Sequence, residues 1–188
     1  MPKKRCGWCE GDDLYESYHD QEWGVPVYDD KTLFEFLLLE TFQAGLSWIT
    51  ILRKRENFRK AFSDFNYEKI AVYSEEKIQK LLTDKGIIRN KLKVKSAVTN
   101  AKAFIEIQQE FGSFSKFIWA FVDEKPIQHT IKDYKKAPAT SAISDKISKE
   151  LKTRGFKFTG STVIYAFMQA TGMVNDHEVS CFRQQELR

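Results

Sequence analysis

Apolar side chains recur every three to four residues along nearly the whole chain, and the two-residue alternation of strands is scarce. That periodicity constrains the fold more than any other feature, and it predicts a compact all-α architecture. The first clear helix runs from Asp30 towards Ala44, capped by Asp29 or Asp30, with Leu33, Phe34, Leu37 and Leu38 as its inward stripe. Ser47 is placed to cap a second helix whose apolar face is Ile51, Phe58 and Phe62, with Arg53 to Arg59 mostly on the wet side. Ser74-Glu-Glu-Lys starts another helix and Lys85-Gly86 stops it. Residues 90–109 form a long amphipathic stretch, residues 114–121 a short aromatic helix, and residues 123–140, with two prolines, an irregular surface loop. Two more helices, at 144–152 and 161–170, flank a hairpin at 154–160. No internal repeat or low-complexity tract breaks the pattern.

At 188 residues the chain is the size of one domain, 1–188, on the usual scale of about 150 residues each. The hydrophobic fraction of 42% is ample for a core and excludes intrinsic disorder. Apolar runs such as Phe36 to Leu39 are far short of a membrane span, and the charged start Met1-Pro-Lys-Lys-Arg has no apolar segment behind it. A cytoplasmic protein without membrane contact is expected. The net charge of +4 permits a nucleic-acid partner without requiring one. Three cysteines (Cys6, Cys9 and Cys181) are an odd number, which argues against a disulfide framework and leaves metal binding or inert thiols.

Four constellations carry chemistry. Cys6 and His19 near one end, with His177 and Cys181 near the other, make a Cys₂His₂ set suited to a structural zinc. Only His177-x-x-x-Cys181 has a metal-like interval, which puts both side chains on one face if the segment is helical, and Cys9 competes through Cys6-x-x-Cys9. A buried thiol and a satisfied histidine are the plain alternative. Second, Glu40 follows Phe36 and Leu37 on the apolar stripe, where a carboxylate needs a cation or several donors. A salt bridge to a nearby arginine would serve equally. Third, Trp8, Tyr15, Tyr18, Trp23 and Trp48 supply aromatic faces that either line a pocket for a flat cationic ring or simply fill the core. Fourth, five basic residues (Lys146, Lys149, Lys152, Arg154, Lys157) against Asp145 and Glu150 surround a turn bracketed by Gly155 and Gly160, which leads to a helix N-terminus at Ser161. Those parts suit a DNA backbone gripped without reading sequence, against the alternative of a solvated charged face. The separate basic run Arg89, Lys91, Lys93, Lys95 reads as such a solvated face.

Arg5-Cys-Gly-Trp8, Tyr18-His-Asp-Gln-Glu-Trp-Gly-Val-Pro26, Gln43-Ala-Gly-Leu-Ser-Trp-Ile-Thr50, Arg154-Gly-Phe-Lys-Phe158 and the Phe167 to His177 segment together resemble the 3-methyladenine DNA glycosylase I family across essentially the whole chain. The resemblance implies a helix–hairpin–helix DNA glycosylase fold with a structural zinc on Cys6, His19, His177 and Cys181, leaving Cys9 as a free thiol. It implies a base pocket in which Glu40 is the recognising and catalytic carboxylate. Tyr18 contacts the base there, Trp48 stacks on it, and Trp8 and Trp23 complete the wall. Leu46 is the side chain expected to fill the gap in the duplex, and Gly155, Lys157, Gly160 and Ser161 the backbone grip. The implied activity is monofunctional removal of 3-methyladenine, with 3-methylguanine a further substrate, from double-stranded alkylated DNA by a monomer, with free 3-methyladenine as product and no lyase step. Asp176, next to a ligand position, is left out of the catalytic set. A zinc-stapled DNA-binding module without catalysis is the competing class.

Overall fold

The computed structural model describes residues 3–188, and among them it is built from ten α-helices and two very short strands. In chain order the helices are α1 (Asp13–Gln21), α2 (Asp30–Gln43), α3 (Trp48–Ala61), α4 (Tyr67–Ala71), α5 (Glu75–Thr83), α6 (Lys91–Phe111), α7 (Phe114–Trp119), α8 (Ala142–Thr153), α9 (Ser161–Ala170) and α10 (Phe182–Glu186). Strand β1 (Ile127–Gln128) pairs in parallel with β2 (Val174–Asn175), Ile127 opposite Val174 and Gln128 opposite Asn175.

Helix α2 is the axis of the molecule, packed against α3, α6, α7 and α9. Every residue from Leu33 to Phe42 is buried, so the helix has no wet face and the stripe expected from its spacing is only part of its contact surface. Helices that are apolar all round are core helices. Phe34 illustrates the packing: its ring meets Tyr67 and Phe104 edge-on, at centroid distances of 5.7 and 5.1 Å. Asp29, not Asp30, caps the helix, accepting from the Thr32 N–H at 2.8 Å. Asp30 turns instead to α7, where its carboxylate accepts from the Phe114 and Ser115 amides at 2.9 and 2.8 Å.

Burying α2 on all sides also buries two acids, Glu35 and Glu40. Glu35 takes Arg55 at 2.7 Å and Arg59 at 2.9 Å, both from α3. The α3 arginines therefore do not all face solvent as the periodicity suggested; two of them neutralise a core carboxylate. Ser47 does precede α3, but its hydroxyl meets the Thr50 hydroxyl at 2.8 Å and caps no amide. Lys93 likewise departs from the solvated face expected for its basic run. It is 6% exposed, and its ammonium donates to the Phe42 and Ala44 carbonyls at 2.8 and 2.7 Å.

Helices α1, α4 and α10 and both strands escaped the sequence pattern. Helix α1 is nine residues long with a weak apolar face, and α4 is shorter than two turns. The strands hold two residues each, too few to display alternation. Segment 123–140 is consequently more than a surface loop: beyond β1, Ile131 bridges Glu178, so the segment runs alongside the C-terminal stretch. The hairpin lies where expected, between α8 and α9. Asn100 of α6 holds it from beneath, accepting from the Lys157 N–H at 2.7 Å and donating to the Lys157 carbonyl at 3.0 Å.

Because Phe34 sits at the contact of α2 with α4 and α6, Phe34→Ala is expected to lower unfolding free energy by about 3–5 kcal/mol, read from urea denaturation.

Candidate functional site

Four parts of the chain converge on one cavity of about 240 Å³. The N-terminal segment and α1 bring Trp8, Tyr15, Tyr18 and Trp23; α2 and the start of α3 bring Glu40, Gln43 and Trp48; segment 123–140 brings Tyr134 and Ala137; α9 and the stretch after it bring Ala166, Gln169 and Asp176. Of the residues expected in a base pocket, Glu40, Tyr18, Trp48, Trp8 and Trp23 are all present. Trp8 meets Tyr15 at 4.7 Å and Trp23 at 5.0 Å edge-on, while Tyr18 and Trp48 lie 5.5 Å apart on the Glu40 side.

Glu40 is the anomaly of this cavity. It is 3% exposed, and its Oε2 has no hydrogen-bond partner. The salt bridge that sequence spacing allowed is not made, because the available arginines are spent on Glu35. With burial as the cause and no cation to offset it, the Glu40 carboxyl is pushed up to about 8. The Trp48 indole N–H is also buried without an acceptor. A buried acceptor and a buried donor, both unmet, in an aromatic cleft are the features of a receptor for a flat, polar or cationic ring.

Sequence reasoning missed Gln43, Tyr134 and Gln169. Gln43 was within reach, since it stands three residues after Glu40 on the same helical face. The other two depend on chain crossings that no local spacing reveals. Asp176, set aside from the sequence, also borders the cavity, with both oxygens engaged: Oδ2 accepts from the Tyr165 hydroxyl and the Gln169 amide at 2.8 Å each, and Oδ1 meets His129 Nδ1 at 2.6 Å.

Behind the aromatic wall lies a second group. One ligand-capable atom each from Cys6, His19 and Cys181 falls within 4.8 Å of the others, all three residues buried. The His19 Nδ1 faces Asp20 Oδ1 at 2.8 Å, which leaves Nε2 towards the Cys181 sulfur at 3.4 Å. Cys6 Sγ accepts from the Glu178 N–H at 3.3 Å. His177 stands beside this trio, its ring 5.0 Å from that of His19, and is not within the same compact group. Its tautomer follows from its neighbour. The Asn175 side-chain amide donates to Gln128 Oε1 and the Gln184 carbonyl, so Asn175 Oδ1 accepts from His177 Nδ1 at 3.1 Å. The His177 Nε2 lone pair is then buried with no partner. Residues 177–181 are not helical, so His177 and Cys181 are not brought together by a helical face as their spacing suggested. Gly24 makes room for His177: at φ +80° it adopts a left-handed conformation, and a Cβ there would meet His177 Cε1 at 2.6 Å. Cys9 stays outside, its thiol donating to the Cys6 carbonyl at 3.1 Å.

The two groups share a wall. Trp23 packs on His177 at 4.5 Å and Trp8 on His19 at 5.4 Å, and Tyr18 of the cavity directly precedes His19. Leu46 is 39% exposed in the turn between Gln43 and Trp48, both of which line the cavity. Gly155, Lys157, Gly160 and Ser161 lie at the far end of α9, the helix that also carries Ala166 and Gln169. Gly155 has φ +92°, and no atom stands within 4 Å of a Cβ built on Gly160, so the backbone there is open to close approach.

An aromatic cleft over an unpaired carboxylate in a helical protein suits a flat ring, and comparison with known proteins makes the class specific. Residues 8–184 match the family model for methyladenine glycosylase. The chain is 48% identical over 178 residues to DNA-3-methyladenine glycosylase 1 of Escherichia coli, covering 95% of each. It superposes with a TM-score of 0.93 on a crystal structure of a 3-methyladenine DNA glycosylase I at 47% identity, covering 95% of this chain and 98% of that one. For the Staphylococcus aureus enzyme, solved to describe its recognition of 3-methyladenine, the TM-score is 0.92 at 37% identity, with 96% of each chain covered. The chain belongs to the methyladenine glycosylase family.

The pH dependence of Glu40 has a definite sign. Burial favours the protonated acid, so the folded protein keeps a proton that the unfolded chain releases near 4.5. Stability is full below that value, falls as pH rises towards about 8, and levels above it. Glu40→Gln lacks this loss. Its unfolding free energy, read from urea denaturation, is expected to gain on the wild type across that window, by at most about 1.4 kcal/mol per pH unit; a difference that stays constant with pH would contradict it.

Proposed function

We propose that this protein is a DNA-3-methyladenine glycosylase I, a hydrolase that breaks the N-glycosidic bond of 3-methyladenine in alkylated double-stranded DNA without a lyase step. The observation that carries the proposal is the unpaired Glu40 carboxyl facing an aromatic cleft, in a chain whose relatives bear that name. Methylation at N3 puts positive charge on the ring and weakens the glycosidic bond, so the base leaves readily without strong acid catalysis. The protein's task is to draw the nucleotide out of the duplex, at a few kcal/mol of unstacking, and to hold the cationic base while its bond to the sugar breaks, the bonding pair leaving with the base, which departs neutral, and the positive charge passing to the sugar. Tyr18 and Trp48 contact and stack on the ring, Trp8 and Trp23 close the wall, and Glu40 faces its amino edge. Water then attacks the sugar.

Magnitudes favour this division of labour. With its carboxyl raised to about 8, ionising Glu40 at pH 7 costs on the order of 1 kcal/mol. A cation held about 4 Å away returns about 4 kcal/mol in a site of intermediate polarity. A neutral adenine returns no such charge attraction, so discrimination follows from the same carboxylate. Leu46, exposed between the cavity residues Gln43 and Trp48, would occupy the gap left by the extruded base. Gly155, Lys157, Gly160 and Ser161, in a helix–hairpin–helix formed by α8, the turn and α9, would hold the backbone. The protein would act as a monomer in the cytoplasm; among the described residues no helix is long and apolar enough to cross a membrane.

The reading extends to a structural zinc on Cys6, His19, Cys181 and His177. Two sulfurs and two imidazole nitrogens suit that ion, and the orphaned His177 Nε2 beside the trio supports a fourth ligand. Asp20 on His19 and Asn175 on His177 would orient the rings, as outer partners of zinc ligands do. The ion's role would be to tie the two chain ends and brace the aromatic wall.

Two experiments test these proposals. Chromatography of bases released from methylated duplex DNA should show 3-methyladenine freed and 7-methylguanine retained. Glu40→Gln should slow release while preserving binding to abasic-site DNA. DNA binding without any release would instead make the chain a binding module. Native mass spectrometry should find one zinc, lost in Cys181→Ser together with affinity for free 3-methyladenine; a metal-free protein of equal stability would overturn the zinc assignment.

A further inference from the structure

Helix α2 ends in a difficulty of its own making. Its last carbonyls need donors and its C-terminal dipole favours a cation, yet its own last turn contains no basic residue. The cation comes from fifty residues downstream in sequence: the Lys93 ammonium donates to the Phe42 carbonyl at 2.8 Å and the Ala44 carbonyl at 2.7 Å. Among the described residues one amide nearby shares this work, Leu46 N–H on the Gln43 carbonyl.

Lys93 occupies this place against two costs. It is 6% exposed and forms no salt bridge among the described residues. It also sits in the first turn of α6, just after the Asn90 cap, where a helix disfavours positive charge. Neither cost is offset within α6, so the benefit lies at the other end of its hydrogen bonds. Those bonds bracket the junction from Phe42 to Ala44, from which Gly45, at φ +82°, leads into Leu46, Ser47 and Trp48. On one side is the helix carrying Glu40; on the other are the exposed Leu46 and the stacking Trp48.

We infer that Lys93 is a positioning residue for base extrusion, holding the 43–47 turn so that Leu46 is presented to the duplex in register with the Glu40 pocket. The inference rests on the glycosylase reading above. Lys93 touches neither base nor DNA in this role and acts through the two carbonyls. Glu40 is held within the fully buried part of α2 and Trp48 opens α3, which packs on α1 and α2, so recognition of a free base does not depend on how the turn presents Leu46.

The test is a double-mutant cycle of Lys93→Met and Leu46→Gly, read by single-turnover release of 3-methyladenine from methylated duplex and by affinity for the free base. Lys93→Met is expected to slow release by about ten- to a hundredfold, the scale set by misplacing a group by an ångström, with free-base affinity unchanged. Lys93→Arg, which can reach both carbonyls, should restore most of the rate. The double variant should be no slower than Leu46→Gly alone. Independent, multiplying losses would overturn the inference, as would wild-type release by Lys93→Met or an equal fall in free-base affinity. Should Lys93→Met not fold, Lys93→Gln takes its place in the same cycle. Absence of release by the wild type would be failure of the glycosylase reading itself, distinct from any of these.

Discussion

Two carboxylates share the most buried helix of this protein, and the difference between them organises the rest. Glu35 receives Arg55 and Arg59 from α3 and becomes a satisfied element of the core. Glu40, five residues on, receives nothing at Oε2. A buried acid without a partner costs several kcal/mol, and a helix packed on all sides gives it no route to water. The free protein meets that cost by keeping the acid protonated, and the cleft around Glu40 has the aromatic lining to admit a cationic ring that would let it ionise.

The remaining architecture holds that cleft open and in register. Its walls come from four separate stretches of chain, fixed to each other by devices outside the cavity. Asp30 ties α2 to α7, the short parallel β1–β2 pair draws segment 123–140 against the C-terminal stretch, and Lys93 closes the end of α2. On the N-terminal side, Trp8 and Trp23 lean on His19 and His177, so the packing of the aromatic wall and the order of the chain ends are one problem. In α1, consecutive residues serve both: Tyr18 lines the cavity and His19 joins the cysteine group.

Most of the helices were legible because they bury a stripe several turns long. Glu40 was legible because an acid on such a stripe is conspicuous, and Trp8, Tyr18, Trp23 and Trp48 because aromatic residues are dense near it. What spacing could not supply is which charge meets which. Glu35 with two arginines and Glu40 with none look alike in sequence, as do the exposed Lys91 and the buried Lys93. Helix α1 was obscured by its weak apolar face, and the two strands by their length. The proximity of Cys6, His19 and Cys181 comes from the fold bringing the ends together; residues 177–181 are not helical, so local geometry alone would not have found it.

The proposed recognition turns on the ionisation of one side chain. Carbon-13 NMR of the Glu40 carboxyl, titrated in the free protein and again with 3-methyladenine bound, addresses it directly. The expected result is a midpoint near 8 when free, moving well down when the base occupies the cleft. A midpoint near the ordinary 4.5 that ignores the base would show that Glu40 is neither desolvated nor the recognition group.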